Sequence, residues 1–391
     1  MKTVGVIAEY NPFHNGHKYH LQQVREQTKA DVLVVIMSGN YVQRGEPALF
    51  DKWERTRQAL YNGADIVIEM PFNVAVQPAH LFAKGAILQL QALGVEEISF
   101  GVEHPEYDFA ALAKEASIIS EAFSNYKQTF ASIYYTQLAE KTGIKLESAN
   151  DILALEYAKA IYEQNALIKI HPIKRIAAGY HDRELPINMN NAEINIASAT
   201  AIRQHLHDQR VVRYLPSSMD LTKSYPVKNF AVHWWPLLHY RLQTASLTEL
   251  QQIYQLNDGL EHLFQETSYQ VNEFQAFFDK VKSKRYSNAR IQRTLLYTLL
   301  NVTTNEMIVD ECNVQNRLLG YTSIGRAWLK RNKKIMKKPL ISKINKDLRK
   351  NKYALQYRVD KIYQQFTECK QEQNIGRKPI DIENSLTIIE K

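Results

Sequence analysis

Cysteine is nearly absent from this chain: Cys312 and Cys369 are the only two in 391 residues. Two thiols so far apart in sequence give no disulfide framework and point to a reducing interior. Long apolar runs are missing as well. No stretch reaches the roughly 18 apolar residues that a membrane span needs, and the apolar segment after Met1-Lys2 is interrupted at Glu9, too early for a secretory signal. Internal repeats and low-complexity tracts are also absent. With ordinary glycine and proline content, these absences leave a cytoplasmic globular protein with no membrane partner, long enough for two domains and a full core.

Acidic residues are scarce in one place only. Residues 1–110 hold thirteen Asp/Glu against nine Lys/Arg, whereas 326–359 hold thirteen Lys/Arg and a single acid, Asp347. The overall charge of +8 is therefore concentrated. A basic block on an otherwise mildly acidic chain suits a polyanion, and Tyr353 and Tyr357 within it offer stacking surfaces, so Lys333, Lys334, Lys337 and Lys338 are candidate RNA contacts. A solvated charge run is the bland alternative.

The first hundred residues alternate strand and helix patterns. Val4–Ile7, Asp31–Met37, Ala64–Met70 and Glu97–Gly101 read as buried parallel strands, and His17–Thr28, Lys52–Asn62 and Pro78–Leu93 as helices, with Gly94 at a C-terminal cap. Asp51-Lys52-Trp53 reads as a helix cap with a packing aromatic. Helical patterns continue from about 105 to 165, where Asn150 or Asp151 could cap a helix, followed by a strand within Ala166–Ile176 that ends at Lys174-Arg175. Such βα units predict an α/β fold, a doubly wound, Rossmann-like parallel sheet with ligands at the carboxyl ends of its strands. His14, Ser38-Gly39-Asn40, Pro71 and Gly101 fall at those ends. From about 215 the pattern is helical, with Pro339–Ser342 as the main β signal. The expected domains are 1–215 (catalytic, nucleotide-binding), 216–375 (mainly α-helical and basic) and 376–391 (a loose tail).

The chemistry concentrates in Ile7-Ala8-Glu9-Tyr10-Asn11-Pro12-Phe13-His14-Asn15-Gly16-His17-Lys18-Tyr19-His20. Between a buried strand and a helix N-terminus, free backbone N–H groups and the helix dipole favour an anion. Two imidazoles placed there, with Gly16 between them for close backbone approach, suit a triphosphate. A zinc site of His14, His17 and His20 lacks a supporting thiol or carboxylate, so no metal ligand set is expected. His14 and His17 resemble the His-x-Gly-His signature of the nucleotidylyltransferase superfamily, and Ser198-Ala199-Thr200-Ala201-Ile202-Arg203 is similar to its second, phosphate-holding signature. Ala199 departs from the usual hydroxyl there, leaving Ser198, Thr200 and Arg203.

Together with Met37-Ser38-Gly39-Asn40-Tyr41-Val42-Gln43-Arg44-Gly45-Glu46-Pro47, Asp51-Lys52-Trp53, Ile68–Phe72, Phe100-Gly101 and Asn150–Leu153, these stretches resemble the tRNA(Met) cytidine acetate ligase family. The resemblance is dense over 1–205 and looser beyond 220. It implies ATP-dependent N4-acetylation of the wobble cytidine of elongator tRNA(Met) with acetate as acyl donor and MgATP as co-substrate. It further implies ATP contacts along Ile7–His20 and at Gly101, Asn150, Arg175, Ser198, Thr200 and Arg203. His14, His17 and Arg175 would then stabilise transferring charge, with Arg44 and Glu46 shaping the acetate or base pocket. No residue declares itself as a general base. The competing readings are a small-metabolite adenylyltransferase acting on a phosphate monoester, which would leave the basic block idle, and a non-catalytic RNA-binding protein.

Overall fold

The computed structural model describes residues 1–121, 130–176, 184–185, 195–225, 233–283, 286–367 and 369–383. Its centre is a seven-stranded sheet. The strands are β1 (Thr3–Ala8), β2 (Val32–Ser38), β3 (Ile66–Met70), β4 (Glu97–Val102), β5 (Lys169–Lys174), β6 (Arg317–Tyr321) and β7 (Ile380–Asp381), in the spatial order β5-β4-β1-β2-β3-β6-β7. The first five are mutually parallel, as the β-branched runs suggest. In β2 every residue is buried, because helices cover both faces.

On one face, Ile36, Ile68, Ile98 and Phe100 pack against α4 (Ala79–Leu93), α5 (Phe109–Glu121) and α7 (Ala149–Glu163), with α3 (Phe72–Ala75) beside α4 and α6 (Phe130–Thr142) beside α5. On the other, Val4, Val6, Val35 and Val67 pack against α1 (Asn15–Thr28) and α2 (Lys52–Tyr61). The caps follow the local chemistry. Asp51 caps α2 by accepting the Glu54 N–H at 2.8 Å. Gly94 closes α4 in a left-handed conformation at φ 73°. Helix α7 starts two or three residues earlier than expected, because Ser148 rather than Asn150 or Asp151 is its cap.

Chain order reverses at β1, which has β2 on one side and β4 on the other. This switch point opens a crevice at the carboxyl ends of both strands.

The C-terminal part does not stay apart from this sheet. Trp235–Thr244, Leu260–Gln270, Phe274–Val281 and Asn288–Leu300 form a helical core around Trp234, Leu242, Phe264 and Tyr297, which also takes in Tyr41, Phe72 and Val76 from the first part of the chain. Beyond it, β6 pairs antiparallel with β3, and β7 adds on outside β6. The segment expected to be a loose tail from 376 is thus tied down as far as Glu383, with Ile380 and Ile382 buried against the sheet; residues 384–391 lie outside the described residues. The expected domain junction at 215/216 falls among the described residues, where the Met219 N–H donates to the Pro216 carbonyl. No helix among the described residues is long and apolar enough to cross a membrane.

Candidate active site

His14 is the N-cap of α1. Its Nδ1 accepts the Gly16 N–H at 3.0 Å, while His17 Nδ1 accepts the His14 N–H at 3.3 Å, a reciprocal capping box built from two imidazoles. Because both Nδ1 atoms are acceptors, the neutral rings carry their proton on Nε2. The rings stack with centroids 3.7 Å apart, an arrangement that two cations would resist. Burial, reinforced by the Arg175 and Arg203 guanidiniums, pushes His14 down to about 3. Burial also holds His17 well below the usual imidazole range, helped by His14, Arg175 and His20. The pair therefore offers neutral N–H donors, ready for an anion without first shedding a counter-ion.

The Ser198 signature lies across from them. Ser198 caps a short helix, α8 (Ala199–Gln204), by accepting the Ala201 N–H at 3.0 Å. Arg203 on that helix reaches back to the β1–α1 turn, donating from Nη1 to the Asn11 carbonyl at 2.6 Å and from Nη2 to Thr200 Oγ1 at 3.3 Å. Gly16 is required by this closeness: a Cβ there would come within 2.9 Å of His14 Cε1 and 3.4 Å of Ile196 Cγ2. On the β4–β5 side, Arg175 passes over Gly101, where a Cβ would stand 3.2 Å from its Cγ.

Glu103, which the sequence reading missed, organises that side. Its Oε1 accepts from Asn150 Nδ2 at 2.8 Å and lies 3.2 Å from Arg175 Nε, and its Oε2 accepts from Ser148 Oγ at 2.5 Å. A carboxylate just past the carboxyl end of β4 was the available signal.

These groups meet in one cleft of about 450 Å³, within the usual range of small-ligand sites. Ile7, Ala8, Glu9, Tyr10, Asn11, His14, Gly16, His17, Tyr19, His20, Gly101, Asn150, Arg175, Ser198, Thr200 and Arg203 all line it, joined by Arg44 and Glu46. Pro12, Phe13, Asn15 and Lys18 do not. Phe13 is fully buried in the core, Asn15 Nδ2 donates instead to the Asn195 and Arg213 carbonyls, and Lys18 is exposed on α1. Phe13 and Asn15 thus anchor the turn rather than face the cleft.

Lys333, Lys334, Lys337 and Lys338 lie elsewhere. The Lys337 N–H donates to the Ala92 carbonyl at the end of α4, Lys338 Nζ donates to the Val314 carbonyl, and the preceding helix is pinned by Trp328 Nε1 donating to Thr3 Oγ1 at the start of β1. This is the amino end of the sheet, about 20 Å, one strand length, from the cleft.

His20 also lines the cleft. Its buried Nε2 finds no hydrogen-bond partner among the described residues, and burial followed by Arg175 lowers it to about 4. An imidazole in the unfolded chain titrates near 6.5. As pH falls below that value, the unfolded chain binds protons that the folded chain refuses, so stability is lost between about 6.5 and 4. His20→Gln should remove one of these titrations. Thermal unfolding midpoints measured from pH 7 to 4.5 should decline less steeply for the variant than for the wild type.

The comparisons agree with this geometry. The family model described as HIGH Nucleotidyl Transferase matches residues 1–378. A tRNA(Met) cytidine acetate ligase of Leuconostoc citreum is 48% identical, with 97% of each chain covered. Another, of Limosilactobacillus reuteri, is 42% identical, covering 98% of this chain and 100% of its own. Crystal structures of Thermotoga maritima TmcAL superpose at 29% identity: the apo form with a TM-score of 0.84 over 98% of this chain and 100% of that one, and the form bound with alpha-thio ATP with 0.82 over 97% and 99%. With His14, His17 and the Ser198–Arg203 signature gathered at a nucleotide-type switch point, the chain belongs to the tRNA(Met) cytidine acetate ligase family of HIGH nucleotidyl transferases.

Proposed function

We propose that this protein activates acetate with ATP and transfers the acetyl group to N4 of the wobble cytidine of elongator tRNA(Met), in the cytoplasm. The observation that carries the reading is the convergence of neutral His14 and His17 donors with Arg203, Thr200 and Arg175 on one cleft at the β1/β4 switch point. Acetate is a poor acyl donor because oxide would have to leave. Attack of its carboxylate on the α-phosphorus of ATP gives acetyl-adenylate and pyrophosphate, and donors fixed around the phosphoryl oxygens lower that barrier. His14 and His17 Nε2–H and the Ser198–Arg203 helix start supply those donors, while Arg175 and Asn150, both held by Glu103, meet the nucleotide. Magnesium would enter with the nucleotide as MgATP.

Mass spectrometry of tRNA(Met) incubated with the protein, ATP and isotopically labelled acetate should find one labelled acetyl group on the wobble cytidine. Pyrophosphate release that depends on a phosphate monoester instead of acetate would favour the small-metabolite adenylyltransferase.

The lysine block at the amino end of the sheet is assigned to the body of the tRNA, away from the reacting base. Neutralising Lys333, Lys334, Lys337 and Lys338 to glutamine should weaken tRNA binding and reduce the slope of log affinity against log salt by about three. Unchanged affinity and slope would make the block a solvated surface.

A further inference from the structure

Acetyl transfer needs something the phosphate-binding groups do not supply. The N4 amine of cytosine is conjugated with its ring and weakly nucleophilic. When it attacks the acetyl carbonyl it becomes cationic, and it reverts to amine unless it loses a proton. The leaving group, AMP, departs as a stable phosphate anion and needs no proton. The acid–base requirement of this step is therefore an acceptor at N4.

His14 and His17 are unsuited to that task, since their Nδ1 atoms accept backbone N–H groups and their Nε2 atoms already carry protons. Glu103 is engaged by Asn150, Arg175 and Ser148, and Asp151 faces His104. Glu9 differs. It sits at the carboxyl end of β1 and lines the cleft. Its Oε1 accepts the Gln43 N–H at 2.7 Å, and its Oε2 accepts no hydrogen bond from any described residue. The adjacent wall is the Val42–Glu46 turn, closed by the Val42 N–H donating to the Glu46 carbonyl at 2.9 Å. Glu46, the other acid of that wall, accepts from Gln292 Nε2 at 2.8 Å on the side of the helical core.

We propose that Glu9 is a catalytic residue of the acyl-transfer step: its carboxylate receives the N4 amino group of the flipped-out cytidine and takes the proton which that nitrogen sheds. This rests on the functional reading above. The N4–C bond forms, the bond from the acetyl carbon to the phosphate oxygen breaks with its electron pair leaving on AMP, and one N4 proton passes to Glu9 Oε2. Carboxylates are natural acceptors for cytosine N4–H, and enzymes acting on a base read its extruded Watson–Crick edge. The contact would thus select an amino-bearing pyrimidine as well as deprotonate it. Burial lifts the Glu9 carboxyl above its usual range, against the Gln43 N–H, Arg203 and Arg44, with Glu46 adding to the lift; this makes it a better proton acceptor than a surface glutamate.

The two half-reactions separate this role from nucleotide binding. Acetate-dependent ATP–pyrophosphate exchange reports adenylate formation without tRNA, and single-turnover acetylation of tRNA(Met) reports transfer. Glu9→Gln, which keeps an oxygen for the Gln43 N–H, should slow transfer about 100-fold more than exchange. Glu9→Asp should retain more transfer than Glu9→Gln. Equal losses of both half-reactions in Glu9→Gln, or transfer at the wild-type rate, would overturn the assignment. A wild-type protein that neither exchanges pyrophosphate with acetate nor acetylates tRNA would overturn the functional reading itself, independently of Glu9.

Discussion

His14→Ser is expected to lower acetate-dependent ATP–pyrophosphate exchange by about 10²–10³-fold, the usual consequence of deleting one fixed donor at a centre of developing charge. Serine is the informative replacement because His14 has two roles. Its Nδ1 caps α1 by accepting the Gly16 N–H, and a serine hydroxyl can take over that task, so the helix should keep its start. What serine cannot replace is the Nε2–H directed to the cleft. His14→Ala loses both and should be destabilised by about 1 kcal/mol more than His14→Ser in chemical denaturation. Exchange by the wild type should also hold steady as pH rises from 6.5 to 8, because the donor is the neutral ring: burial with Arg175 and Arg203 already keeps His14 down to about 3 in the free protein. Loss of exchange across that interval would mean that a cationic imidazole does the work.

The parts of the site legible in sequence were those whose chemistry is local. Strands β1 to β4 announce themselves through runs such as Val32–Ser38, buried on both faces, and Ser198 and Asp51 are caps wherever they precede a helical pattern. The histidine pair was legible as a phosphate site. The reciprocal cap that fixes its tautomer was not, since it depends on backbone geometry at the turn. Strand β6 was hidden for a different reason. Its Gly320 reads as a break, yet a Cβ there would come within 2.8 Å of Leu60 Cδ1 and 2.9 Å of Thr56 Cγ2, so glycine is the residue that lets α2 lie against the sheet. The two residues of β7 are too few to form any pattern.

The most specific motif around Asn40 is also explained by contacts far away in sequence. Asn40 does not line the cleft. Its Nδ2 donates to Asp360 Oδ1 at 2.9 Å and to Gln373 Oε1 at 3.0 Å, and its Oδ1 accepts the Lys52 N–H at 2.8 Å. Arg55 ties the same loops together by donating to the carbonyls of Glu9, Ser38 and Gly39. The loop beside the cleft is therefore braced by the helix Ala354–Thr367, a link that no local pattern could announce.

At the centre of that brace, fully buried Lys52 Nζ donates to Glu69 Oε1 and Asp360 Oδ2, each at 2.6 Å, while Tyr353, buried here and not the stacking surface the sequence suggested, donates from Oη to Glu69 Oε2, and Arg317 Nη1 lies 3.6 Å from it. Two cations and two carboxylates balance. Removing one member leaves the cluster with an uncompensated buried charge, so Asp360→Ala and Lys52→Met should each cost about 3–5 kcal/mol in chemical denaturation. The combined variant removes one charge of each sign and leaves Glu69 with Arg317 and Tyr353. It should therefore recover much of the loss, giving a large favourable coupling in the double-mutant cycle. Additive losses would mean that the brace acts through packing alone. Because Asp360 also accepts from Asn40 Nδ2, Asp360→Ala should loosen the Val42–Glu46 wall as well, and the half-reaction that needs an ordered cytidine, acetyl transfer, should weaken before adenylate formation does.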